Sequence, residues 1–86
     1  MSHSDNVIDI HRPVEFSIDG RTFETTSRRQ SAADLLRLVG RDPDDYELAE
    51  LRVRRLRPVT YGRRETVHIR RGMCFFSISK QARSAR

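Results

Sequence analysis

Tryptophan is absent from this sequence, cysteine occurs once, and there is no long run of apolar residues. Because Cys74 stands alone, the chain cannot form an internal disulfide or a zinc site built on several cysteines. A membrane-spanning helix needs about 20 consecutive, mostly apolar residues, and no stretch approaches that length. Residues 1–13 also lack the apolar centre of a secretory signal. These absences predict a soluble, cytoplasmic protein without a membrane segment.

The chain length, 86 residues, allows one domain with one hydrophobic core. A chain of this size buries only about 60% of the surface that its unfolded form exposes, so the fold must be compact. Both ends are polar and carry no regular apolar pattern. We therefore expect a flexible N-terminal tail at residues 1–12, a folded domain at residues 13–78 and a flexible C-terminal tail at residues 79–86. The domain is expected to be a monomer.

Charge is distributed unevenly along the chain. Residues 1–50 contain six arginines and eleven acidic residues, a net charge of −5. Residues 51–86 contain ten arginines, one lysine and a single acidic residue, Glu65, a net charge of +10. A basic segment of this density can attract a polyanion or an acidic protein surface, and it can equally be a solvated surface that maintains solubility. The sequence leaves both interpretations open.

The folded segment begins with the pattern of a β-hairpin. Residues 14–18 alternate apolar and polar side chains with a period of two, as in a half-buried strand. Asp19-Gly20 follows, and this pair favours a two-residue type I′ turn because both of its positions need a positive φ. Residues 21–26 then resume as a second strand, rich in threonine and aromatic residues.

A short helix is predicted at residues 32–39. Ser31 and Asp34 fit the capping box, with a hydroxyl at the N-cap and a carboxylate three residues later. Gly40 supplies a residue that readily adopts the left-handed conformation at the C-terminus. The apolar face has helical spacing and consists of Ala32, Leu35, Leu36 and Val39.

Strand patterns recur after the helix at residues 46–53, 66–69 and 73–78, with a shorter one at residues 59–61. The predicted fold class is α+β, a mixed sheet of four to five strands packed on one helix. The first and last strands carry the strongest apolar patterns, so we expect them to be parallel neighbours at the centre of the sheet. This order of elements is that of the β-grasp.

A single hydrophobic core is predicted. It is formed by the apolar residues that the strand and helix patterns place on the inner side of their elements. In the last strand, Phe76 and Ile78 are expected to face the helix, with Cys74 beside them as a small core residue. The other predicted core residues are Val14, Phe16, Ile18, Phe23, Leu35, Leu36 and Val39.

Three segments of the chain carry a specific combination of motifs. The first, residues 16–24, reads FSIDGRTFE; the second, residues 35–48, contains LLRLVG and then DPDDYEL; the third, residues 67–78, contains VHI and then GMCFFSI. In these segments, which together span roughly residues 14–78, the sequence resembles the bacterial multiubiquitin family of ubiquitin-like domains. The pairing of a DPxxYEL segment after the helix with a closing GMxFFSI strand carries the resemblance.

The resemblance implies a ubiquitin-like β-grasp fold and a role as a modifier or as a protein-binding adaptor of a bacterial ubiquitin-like system. It also implies protein partners among E1-like, E2-like and isopeptidase enzymes. Modifiers of this kind end in Gly-Gly, whereas this sequence ends with Arg83-Ser84-Ala85-Arg86. No attachment residue is therefore carried over.

Residues that carry catalytic chemistry form no recognisable motif in this sequence. His3, His11, His68 and Cys74 show no metal-ligand spacing, and there is no glycine-rich phosphate loop. His68 lies in a strand pattern, where a surface histidine is the expected outcome. We therefore expect a protein that is not an enzyme and that has no metal or other cofactor.

A protein-binding surface is predicted on the sheet face opposite the helix. If Phe76 faces the helix, Phe75 points to the other face, because side chains alternate along a strand. The sequence leaves open whether Phe75 is exposed there or is covered by the segment around Ile8 and Ile10. An aromatic residue with a cationic rim is typical of recognition surfaces. The predicted site consists of Phe75, His68, Arg70, Arg71, Arg52 and Arg54.

Two alternative functions follow from the same arginines. Tyr61 lies within an arginine-rich segment, residues 54–64, and could stack on a nucleic-acid base. The sequence has no RNP-like motif and no recognition helix, so nucleic acid is the less favoured partner. A structural subunit of a larger complex is the second alternative.

Overall fold

The computed structural model of the chain describes residues 12–54 and 56–81. Within them lie the strands and the helix that form the domain: β1 (Val14–Ile18), β2 (Arg21–Thr25), β3 (Arg29–Ser31), α1 (Ala32–Leu38), β4 (Tyr46–Glu50), β5 (Val59–Tyr61), β6 (Thr66–His68) and β7 (Cys74–Ser79). Residues 1–11 of the predicted N-terminal tail and residues 82–86 of the predicted C-terminal tail lie outside the described residues, so their flexibility stays a prediction. Ser79, predicted to begin the C-terminal tail, is the last residue of β7.

Five strands form a mixed sheet in the order β2-β1-β7-β4-β5. β1 runs parallel to β7, with Ser17 opposite Cys74 and Ile18 opposite Phe75, and the other neighbours are antiparallel. The helix α1 packs against this sheet through β4. The predicted α+β fold, one helix packed on a mixed five-stranded sheet in a β-grasp-like arrangement, is confirmed. The parallel pairing of the first and last strands is confirmed as well.

The hairpin turn between β1 and β2 has the predicted backbone geometry. Asp19 has a φ of 53° and Gly20 a φ of 80°, as the two central positions of a type I′ turn require. The Asp19 carboxylate also accepts hydrogen bonds from the backbone N–H of Ser77 (2.8 Å) and from its hydroxyl (2.7 Å). These two bonds join the turn to β7.

The helix α1 begins where its capping signal predicts and ends close to the predicted glycine. The Ser31 hydroxyl accepts a hydrogen bond from the backbone N–H of Asp34 at 3.1 Å, which confirms the predicted N-cap. Val39 is the C-cap residue and Gly40 follows with a φ of 73°. The helix therefore ends one residue before the predicted limit.

Two strands pair outside the main sheet. β3 lies antiparallel to β6, with Arg29 opposite His68 and Ser31 opposite Thr66. The sequence pattern predicts no strand between the hairpin and the helix, and it predicts residues 66–69 to be part of the main sheet; both predictions are wrong. A strand of three residues is too short to show a period of two, and only its partner defines it.

The core lies between α1 and one face of the main sheet. It consists of Val14, Phe16, Ile18, Ala32, Leu35, Leu36, Leu48, Val67, Ile69 and Phe75. Two predicted core residues, Phe23 and Val39, are only partly buried and pack against its edge.

The side chains of β7 alternate in the phase opposite to the predicted one. Phe75 lies in the core and is 1% exposed, whereas Phe76 and Ile78 are partly exposed and Cys74 is exposed. The register gives the reason, because Phe75 lies beside the fully buried Ile18. Every residue from 73 to 76 is apolar, so this strand has no alternation that selects a face, and its neighbours decide which residues are buried.

Candidate functional site

The loop between β4 and β5, residues 51–58, exposes several aliphatic side chains; we refer to it as the β4–β5 loop. Leu51 is 58% exposed, and Val53 and Leu56 are fully exposed. Arginines alternate with them and are exposed as well: Arg52, Arg54 and Arg57. A single exposed aliphatic residue is common on protein surfaces, but three within one loop are typical of an interaction site.

The path of the chain keeps these side chains away from the core. β4 ends at Glu50, and the backbone N–H of Leu51 makes one more hydrogen bond, to the carbonyl of Cys74 at 2.9 Å. The chain then leaves the sheet and returns at Val59, which pairs with Glu50. The strand predicted at residues 46–53 is therefore shorter than expected, and its last three residues belong to the loop.

Glu50 is a buried carboxylate at the base of this loop. It lies opposite Phe75 in the strand pairing, so its side chain is on the core face of the sheet, and that side chain is 9% exposed. The Tyr61 hydroxyl donates a hydrogen bond to Oε1 of Glu50 at 2.6 Å, and Nη2 of Arg52 lies 3.2 Å from the same oxygen. A charge in this position is stable only when it is paired, and Arg52 and Tyr61 provide that pairing.

The pKa values of the two partners respond to this contact. Burial, followed by the hydrogen bond to Glu50, raises the pKa of the Tyr61 hydroxyl above its usual value. The hydrogen bond to Glu50, followed by one with Tyr61, raises the pKa of Arg52 further above its already high value. At neutral pH both groups therefore remain protonated donors to the Glu50 carboxylate.

A cleft of about 550 Å³ opens above Glu50, and we refer to it as the Glu50 cleft. Its lining comes from β4, the β4–β5 loop, β5, β6 and the segments that flank β6 and β7: Glu50, Arg52, Tyr61, Glu65, Thr66, His68, Arg70 and Met73. Oε1 of Glu65 accepts a hydrogen bond from the backbone N–H of Gly62 at 3.0 Å, which fixes that side chain. The Glu50 cleft thus combines two carboxylates with two guanidinium groups and one imidazole.

The structure brings three of the six predicted site residues together. His68, Arg70 and Arg52 all line the Glu50 cleft. Arg71 and Arg54 are exposed but are not part of its lining. The six residues were predicted to share the sheet face opposite the helix. For His68 this location is wrong, because β6 pairs with β3 and not with the main sheet.

Phe75, the sixth residue, is not a surface residue, and its predicted role as an exposed anchor is wrong. Its ring packs in edge-on geometry against Phe16, with centroids 6.1 Å apart, and against Tyr61, with centroids 6.4 Å apart. The aromatic residue on the opposite sheet face is Phe76, which pairs with Ala49 and is partly buried.

Residues 12–54 and 56–81 contain no group of three or more histidine, cysteine, aspartate or glutamate side chains placed to hold a metal ion. Over the same residues, no helix is long and apolar enough to cross a membrane.

Neither the contact between Glu50 and Tyr61 nor the exposed aliphatic residues of the β4–β5 loop were predicted from the sequence. Glu50 and Tyr61 are eleven positions apart, and only the antiparallel register of β4 and β5 brings them together. Leu51, Val53 and Leu56 were visible as aliphatic residues among arginines. A signal was available there, because Pro58 disfavours the centre of a sheet and marks the end of a loop.

No family model, no curated protein and no solved structure matches this chain. The resemblance to the multiubiquitin family therefore stays a prediction from the motifs that carry it.

Proposed function

We propose that this chain is a ubiquitin-like protein-binding domain, an adaptor or modifier that works through recognition, and that the β4–β5 loop is its principal contact surface. The observation that carries the proposal is the exposure of Leu51, Val53 and Leu56 within one loop. Burying one such side chain in an interface contributes about 1.5–3 kcal/mol, so three can anchor a partner.

The arginines of the loop define the chemistry of that partner. Arg54 and Arg57 are exposed beside the aliphatic residues. Arginine is enriched in protein interfaces, and its guanidinium group pairs with carboxylates in a planar fork. The partner surface that fits is a shallow apolar groove bordered by acidic residues.

The family resemblance adds candidate partners to this surface chemistry. E1-like, E2-like and isopeptidase enzymes are the proteins that a bacterial ubiquitin-like domain is expected to meet. We propose that at least one of them binds the β4–β5 loop.

The contacts of Tyr61 favour protein recognition over the nucleic-acid alternative. Its hydroxyl donates to Glu50 and its ring packs on Phe75, so the ring is not an open platform for a base. We expect a single-stranded oligonucleotide to bind weakly, without sequence preference, and to dissociate near about 0.15 M salt because phosphate contacts release counterions. Tight binding at that salt, lost in the double variant Arg54→Ala/Arg57→Ala, would favour the alternative.

The test of the main proposal is a titration of the isotope-labelled chain with E1-like, E2-like and isopeptidase proteins from the same genome, followed by amide shifts. The double variant Val53→Ser/Leu56→Ser should weaken binding by a factor of about 30 or more, since loss of an interface anchor costs about 2 kcal/mol. Leu38→Ser is the matched control, because Leu38 is an exposed aliphatic residue (44%) on the helix. Shifts confined to the strand face around Phe76, with an unaffected double variant, would contradict the proposal.

A further inference from the structure

The Glu50 cleft has a property that the proposed contact loop does not require. Charged side chains are almost never buried unless every charge is compensated. Glu50 is nine-tenths buried, yet it lines an open cleft and not the closed interior. Such a carboxylate is positioned to meet a group that enters from solvent.

One oxygen of this carboxylate remains available. The Tyr61 hydroxyl and the Arg52 guanidinium both approach Oε1. Across the described parts of the chain, every buried side-chain oxygen has a hydrogen-bond partner. Both contacts seen for the Glu50 side chain are made by Oε1, so Oε2 is the oxygen left to meet a group that enters the cleft.

The arrangement selects the charge of the incoming group. An anion that reached the floor of the cleft would meet Oε2 and, on the adjacent wall, the Glu65 carboxylate. Arg52 is 42% exposed and Arg70 is exposed, so these two charges are better solvated than that of Glu50. A group that donates hydrogen bonds and carries positive charge fits the floor, because charge-assisted bonds to a buried carboxylate are strong.

We infer that the Glu50 cleft binds a basic side chain, arginine or lysine, from a peptide segment of a protein partner, with Glu50 as the contacting carboxylate. The volume of about 550 Å³ lies in the usual range for ligand sites of about 300–1,000 Å³. The guanidinium group of arginine presents five donors in a fork, so it can use Oε2 of Glu50 together with Glu65. Carbonyl groups flanking the basic residue meet Arg70 at the rim. The inference does not depend on the β4–β5 loop being the main contact surface.

The experiment uses short blocked peptides and the full chain. The probe is acetyl-Gly-Arg-Gly-amide, with the lysine peptide as the second basic probe. The citrulline peptide is the neutral control of the same shape, and the glutamate peptide is the control of opposite charge. Amide and tyrosine-ring shifts of the isotope-labelled chain report where and how tightly each peptide binds. We expect the basic peptides to shift Glu50, Tyr61 and Thr66, and the citrulline peptide to bind at least about tenfold more weakly.

Three variants separate a contact from a structural effect. Glu50→Gln removes the charge but retains an acceptor for Tyr61, and it should weaken the arginine peptide at least about tenfold. Glu15→Gln is the matched control, because Glu15 is an exposed carboxylate on β1 outside the cleft; it should leave binding unchanged. Arg70→Gln removes a repelling charge and should strengthen the arginine peptide several-fold, which tests the inference even if Glu50→Gln does not fold.

The outcomes are distinguishable. Preferential binding of the glutamate peptide at these amides, or weaker arginine binding in Arg70→Gln, would show that the cleft is an anion site and would overturn the inference. Equal affinity for arginine and citrulline would overturn it as well. The double variant Val53→Ser/Leu56→Ser should bind the arginine peptide with unchanged affinity. That result would support the cleft as a binding site even if the β4–β5 loop proves not to bind the partner.

Discussion

Phe75 joins the core of this domain to its candidate sites. Its ring packs against Phe16 on one side and against Tyr61 on the other. The hydroxyl of Tyr61 in turn holds Glu50 at 2.6 Å. A single buried ring therefore supports the floor of the Glu50 cleft, and its loss should affect both stability and the geometry of that carboxylate.

Truncation of neighbouring phenylalanines should give very different results. Phe75→Ala should lower the free energy of unfolding by about 3–5 kcal/mol, because it leaves a cavity in the core. Phe76→Ala should lower it by less than about 1.5 kcal/mol, since that side chain is only partly buried. Urea unfolding followed by circular dichroism measures both, and Phe75→Leu gives an intermediate value if the alanine variant does not fold. A larger loss for Phe76 than for Phe75 would contradict the observed phase of β7.

Among the elements, α1 is short and depends on its surroundings. Seven residues are too few to form a stable helix in isolation, so packing and capping must hold it. The backbone N–H groups of Ala32 and Ala33 donate to the carbonyls of Glu65 and Arg63, each at 3.0 Å. These bonds satisfy two donors that a helix N-terminus leaves open. They also fix the segment before β6, which forms one wall of the Glu50 cleft.

The N-cap of this helix is testable at one residue. Ser31→Ala removes the oxygen that accepts from the Asp34 N–H and should lower the free energy of unfolding by about 1 kcal/mol. Ser31→Asn provides another good cap and should retain most of the stability. Thermal and urea unfolding of the two variants supply the comparison. Equal losses in both would mean that the hydroxyl has another role at this position.

In the whole molecule, the main sheet is held together by the pairing of its first strand, β1, with its last strand, β7. β1 and β7 lie at its centre, and the backbone N–H groups of Ser17 and Asp19 donate to the carbonyls of Met73 and Phe75, each at 3.0 Å. These pairings form only when the chain is nearly complete, so they depend on global folding. By contrast, β3, β5 and β6 have three residues each and lie at edges.

This architecture predicts a graded pattern of hydrogen exchange. Amides of β1 and β7 should exchange only through global unfolding and should report its full free energy. Amides of β5 and of the β3–β6 pair should exchange through local opening at lower free energies, because their strands are short. Native-state exchange followed by NMR measures each amide. Protection of β5 as high as that of β1 would show that the small strands belong to the same cooperative unit.

Features that depend only on neighbouring residues could be predicted from the sequence. The Asp19-Gly20 turn, the Ser31 cap and the helical spacing of α1 are local, and the structure has them where their residue types predict. The alternation of β1 and its parallel pairing with the last strand were also predictable, because apolar pattern and element order constrain the topology. These signals act within a few residues or through the chain order alone.

Three features depend on long-range contacts in the folded chain: which face of β7 is buried, which sheet β6 joins and what surrounds Glu50. Consecutive apolar residues in β7 do not indicate which of its two faces is buried. That choice depends on pairing with Ile18, which is more than fifty residues away in the sequence. The same limit applies to the site: Phe75 was predicted to lie on the sheet face opposite the helix and lies in the core instead, and Glu50 was not recognised. A buried carboxylate is defined by the partners that compensate its charge, and those partners, Tyr61 and Arg52, come together only when β4, β5 and the loop between them have folded.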